Sequence, residues 1–91
     1  MGRKEISRLT LDKPVSFDDG PKIKELIFHE INAGDMGDMP LPMLPKSYLF
    51  LAAASTGHPK ALIDKLSPFD AMMTIAEVET FFEPGQATGS T

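Results

Sequence analysis

Proline divides this chain in the middle. Met39-Pro-Leu-Pro-Met-Leu-Pro45 places three prolines, Pro40, Pro42 and Pro45, in one short segment. Each lacks a backbone N–H and locks φ, so neither a helix nor a central strand runs through it. An extended, polyproline-like connector is expected. Any core must therefore be assembled from a segment before the connector and a segment after it.

Before the connector the pattern is that of strands. Leu9, Leu11, Val15 and Phe17 share one parity, and Arg8, Thr10, Asp12 and Ser16 the other, the period of a half-buried strand. Pro14 places that strand at an edge. Asp18-Asp19-Gly20-Pro21 reads as a turn, with Gly20 tolerating positive φ. Lys22–Ile31 is rich in β-branched and aromatic residues and reads as the second strand of a hairpin. Asn32 is a candidate cap for a short helix.

After the connector the pattern is helical. Lys46–Thr56 stops at Gly57, and Pro59–Leu66 is a short second helix. Ser67-Pro68-Phe69-Asp70 starts a third, with Ser67 as N-cap, Pro68 in the first helical position and the Asp70 carboxylate at the positive end of the dipole. That helix is expected to reach Phe82 and to stop at Glu83-Pro84-Gly85. The expected fold class is α+β, an N-terminal β-hairpin followed by a helical C-terminal half of two to three helices. Residues 8–82 form the domain, 1–7 a flexible N-terminus and 83–91 a disordered tail.

Composition narrows the function. A chain that is 42% hydrophobic and 24% charged has the balance of a globular protein. Its longest apolar run, Tyr48–Ala54, is too short for a membrane helix, which needs about 20 residues. No apolar segment follows the first charges, so no signal peptide is expected. Without cysteine there is no disulfide and no thiolate metal site. The net charge is −4, and the basic residues Arg3, Lys4, Arg8 and Lys13 gather at the start, leaving an acidic body. Nucleic-acid binding is not expected of such a body, because phosphate recognition needs a basic face. His29 and His58 are far apart, and Glu30, Asp35 and Asp38 lack the ligand pattern of a calcium loop. Gly34-Asp-Met-Gly37 is no phosphate loop, and Ser47, Ser55 and Ser67 sit in no nucleophile elbow. No enzyme activity, metal or cofactor is expected.

Binding is the remaining class. The last helix carries Asp70, Thr74 and Glu77 on one narrow stripe, and apolar residues fill most of its remaining circumference. One reading is a central helix in a tiny core. The other is a helix with one face on its own hairpin and another on a second chain. The candidate contact residues are Met72, Met73, Ile75, Val78, Phe81 and Phe82 on this helix, and Met36, Met39, Met43 and Leu44 around the connector, where flexible thioethers suit an adaptable surface. Phe81→Asp is expected to abolish association while leaving the hairpin folded.

Several motifs in order resemble a known family. Leu9-Thr-Leu-Asp-Lys-Pro-Val15, the Asp19-Gly20 turn, Ile23-Lys-Glu-Leu26 and Glu30-Ile-Asn-Ala-Gly-Asp35 are similar to the opening of the small tail assembly chaperones of contractile-tailed, Mu-like and related phages and prophages. Glu30, Gly34 and Asp35 match the family's Arg-Glu-Pro-Thr-x-Gly-Asp-like motif, while His29 and Ile31 replace its Arg and Pro. Leu51-Ala-Ala-Ala-Ser-Thr-Gly57 and Leu62-Ile-Asp-Lys-Leu-Ser-Pro-Phe-Asp70 resemble a later helix end and helix start, and the Met/Pro segment departs from the pattern. The resemblance implies a chaperone that binds the tape-measure protein and keeps it soluble until the tail tube polymerises. It implies a homo-oligomer in the host bacterial cytoplasm, contact with the tail-tube protein, and absence from the mature virion. The alternative is a small structural tail or baseplate subunit retained in the particle. A regulator using Arg3, Lys4 and Arg8 as a DNA-binding arm is disfavoured by the acidic body.

Overall fold

A computed structural model describes residues 3–37 and 43–82. Strand β1 (Glu5–Val15) and strand β2 (Ile23–His29) form an antiparallel hairpin. Helices α1 (Pro45–Thr56), α2 (Lys60–Ile63) and α3 (Pro68–Glu79) follow, with short 3₁₀ turns at Ala33–Met36 and Thr80–Phe82. The chain is thus α+β, a hairpin followed by a helical half. No helix among the described residues is long and apolar enough to cross a membrane.

The alternation in β1 places Leu11 and Val15 inside, and β2 adds Leu26 and Phe28. Leu51 and Ala52 of α1, Leu62 and Ile63 of α2, Leu66 and Val78 complete the core. One face of the hairpin is thereby covered by helices, as a two-stranded sheet requires for stability. Three details differ from the sequence reading. β1 begins at Glu5, so part of the segment expected to be flexible is strand. Arg3 ahead of it reaches both Asp35 carboxylate oxygens at 2.7 and 2.8 Å. In the turn, Asp18 and Asp19 carry the positive φ, at 51° and 59°, which matches a hairpin turn of the mirror-image type. Gly20 serves by close approach instead, since a Cβ there would lie 3.0 Å from the Phe17 carbonyl oxygen. The second helix covers only Lys60–Ile63, and Asp64–Leu66 continue it as turns. Most of the expected extended connector, including Met39, Pro40 and Pro42, and residues 83–91 lie outside the described residues.

Elsewhere the punctuation acts as read. Asn32 caps the 3₁₀ turn by accepting the Gly34 N–H at 3.0 Å. Gly57 ends α1 in the left-handed region, φ 79°, where a side chain is strained.

The hairpin has two outer edges, and a helix side chain holds each. On the β1 side, the register shifts between Thr10 and Val15, around Pro14. The freed N–H groups of Asp12 and Lys13 donate to the two Asp70 carboxylate oxygens at 2.8 and 2.9 Å. On the β2 side, the Ser55 hydroxyl accepts the His29 N–H at 3.0 Å and donates to the His29 carbonyl at 2.7 Å. Ser55 thus imitates a third strand for one residue.

Burial would push the Asp70 carboxyl up. The N–H bonds from Asp12 and Lys13, the Ser67 hydroxyl and the Lys13 charge outweigh it and hold the group below its ordinary value. A carboxyl depressed in the folded state contributes stability that is present above its unfolded pKa, about 3.9, and is lost as pH falls through the lower folded value. Asp70→Ala should cost about 2–4 kcal/mol, because two strand N–H groups lose charge-assisted bonds to a buried carboxylate. Urea unfolding checks this at neutral pH. The acid limb of stability against pH should flatten in the variant.

Candidate apolar binding face

The face is set by how α3 starts. Ser67 accepts the Asp70 N–H at 3.2 Å and donates its hydroxyl to the Asp70 carboxylate at 3.1 Å. Pro68 follows in the first turn. With its carboxylate committed to β1, Asp70 fixes the rotation of α3 about its axis. Asp70, Thr74 and Val78, four residues apart, are the buried row. The Thr74 hydroxyl is satisfied within the helix, donating to the Asp70 carbonyl at 2.8 Å.

This reverses the usual partition of an amphipathic helix. Two of the three polar residues on the narrow stripe face inward, and only Glu77 of that stripe is half-exposed. Phe69, Met72, Met73 and Ala76, at i, i+3, i+4 and i+7, form one exposed row on the opposite side. Phe69 is 61% exposed and Met72 64%. The row carries no charge. Phe82 and Leu44 are also exposed, and the Phe82 ring stands edge-on to Tyr48 at 6.4 Å.

The remaining candidates separate from this row. Val78 is fully buried in the core, so it offers nothing to a partner. Phe81 is half-buried, with its ring edge-to-face against buried Phe28 at 5.9 Å. It is a core side chain, and Phe81→Asp should unfold the chain rather than simply dissociate it. Ile75, Met36 and Met43 are half-buried, the two methionines packing against the core. The sequence reading omitted Phe69, although its i, i+3, i+4, i+7 relation to the methionines was the available signal.

No group of three His, Asp or Glu side chains able to hold a metal occurs among the described residues. The hydroxyl of Ser67 is used in the helix cap, bonded to the Asp70 carboxylate, and that of Ser55 on the strand edge at His29. The arrangement is suited to apolar contact, at a helix face of about two turns. Comparison with family models, with curated proteins and with solved structures returns no match.

Two variants distinguish face from core. Phe69→Ser/Met72→Ser/Met73→Ser should change stability by no more than about 1 kcal/mol, because exposed positions contribute little. Phe81→Asp should cost about 3 kcal/mol or more, from lost packing and a charge set against apolar surface. Thermal melts followed by circular dichroism compare them.

Proposed function

We propose that the chain is a tail assembly chaperone that holds apolar helical segments of a phage tape-measure protein in solution. The observation that carries this reading is the exposed, uncharged row Phe69, Met72, Met73 and Ala76 on α3. Its spacing suits a helix laid against a helix. Methionine side chains adjust to varied apolar partners, as a long repetitive rod requires. Each contact is small, and self-association of the chaperone multiplies such contacts into avidity. The motif resemblance supplies the identity of the partner. The chaperone acts in the host bacterial cytoplasm, is displaced as tail-tube protein polymerises, and performs no catalysis.

The test is co-expression with the tape-measure protein in cells producing contractile tails. The tape-measure protein should stay soluble and co-purify with the tagged chain, and should lose both properties with the Phe69→Ser/Met72→Ser/Met73→Ser variant. Mass spectrometry of finished tails should not find the chain. Stoichiometric retention in tails, with no tape-measure complex, would establish the structural-subunit reading instead.

A further inference from the structure

The outer edge of β2 is a feature separate from α3. Its direction follows from hydrogen bonding. Glu30 donates its N–H to the Lys4 carbonyl at 2.9 Å, while both backbone groups of His29 turn away from β1 to Ser55. Alternation along a regular strand then turns the N–H and C=O of Ile27 and Glu25 outward, in the direction of His29. The irregularities of the hairpin lie beside Ile6 and between Thr10 and Val15, on β1, so β2 keeps its alternation.

That edge lies in a groove of about 520 Å³. Ile23, Glu25 and Ile27 line it together with Thr10 of β1 and with Thr56 and His58. α1 bonds the edge at His29, through Ser55. Among the described residues, no hydrogen bond is made to the outward backbone groups of Ile27 and Glu25.

The charges at the groove select an occupant. Lys22 and Lys24 line it, are exposed, and have no ion-pair partner among the described residues. The groove's acid, Glu25, is already paired with Arg8 at 3.3 Å. In a chain of net charge −4 this is a basic strip beside unpaired strand backbone. A second copy would bring the same lysines and no uncommitted acid from its own edge.

We infer that the β2 edge binds an extended acidic segment of another protein by strand addition, with Glu25 and Ile27 supplying main-chain bonds and Lys22 and Lys24 pairing with its carboxylates. Backbone pairing gives such a mode its affinity, and the flanking charges give its specificity. The inference is independent of the tape-measure reading, since it uses neither α3 nor the apolar row.

The probe is a short capped peptide of alternating valine and glutamate, titrated into the full chain and followed by amide NMR shifts. Saturable shifts should centre on Glu25 and Ile27, with interstrand contacts from the peptide backbone. Lys22→Glu/Lys24→Glu, both at exposed positions, should bind roughly tenfold more weakly, as should a valine–lysine peptide. Ile27→Pro should abolish binding, because it removes an outward N–H and leaves the bonds to β1 in place. No shift at millimolar peptide would overturn the inference. So would equal binding of the lysine peptide, shifts confined to Met72 and Met73, or β2 shifts that depend on protein concentration without peptide.

Discussion

The Asp70 carboxylate is the point on which this small fold turns. A two-stranded hairpin cannot satisfy its own edges, and β1 is broken near Pro14, where ladder bonds are lost. One carboxylate, 1% exposed, accepts the two N–H groups released there. It does so from the first turn of α3, where the Ser67 cap holds it in place. Ser55 performs the complementary task on β2 with a single hydroxyl. Two short polar side chains thus anchor two helices to opposite edges of the hairpin, and apolar packing among Leu26, Phe28, Leu51 and Val78 fills the space between.

The exposed face is a consequence of that anchoring. A helix has one circumference to divide. Once Asp70 and Thr74 are committed to the inside, the residues about half a turn away must face out. Those residues are Phe69, Met72, Met73 and Ala76. The stability of the hairpin and the apolar surface of α3 are therefore coupled. Rotating the helix to hide the methionines would withdraw the carboxylate from β1. Apolar exposure that persists because the alternative breaks buried hydrogen bonds is well suited to binding, since it does not collapse in the absence of a partner.

Local signals in the sequence were read well, and long-range ones were not. Proline, glycine and capping residues located α1 and α3 almost to the residue, because each acts on its own backbone. Strand alternation identified Leu11 and Val15 as core for the same reason, but it also put Phe17 on that parity, and Phe17 lies beyond the end of β1 and is exposed. The roles of Asp70 and Ser55 depend on partners 57, 58 and 26 residues away, and nothing near them in the chain announces those partners. Asp70 was legible as a cap and illegible as a strand anchor. That gap is why Val78 and Phe81 were grouped with a binding face when one is buried and the other packs on Phe28. Methionine's habit of filling core gaps favours the inside for Met72 and Met73, yet both are exposed, and Phe69 was passed over as part of a helix start.

The central claim is that α3 is locked in rotation by bonds from β1, and amide hydrogen exchange measures those bonds directly. The Asp12 and Lys13 amides lie in an irregular part of an edge strand, where exchange is normally fast. The account predicts protection close to that of the Leu26 and Phe28 amides, because their opening requires α3 to leave the hairpin. Exchange at Asp12 and Lys13 near the rate of an unstructured chain, with Leu26 and Phe28 still protected, would contradict it.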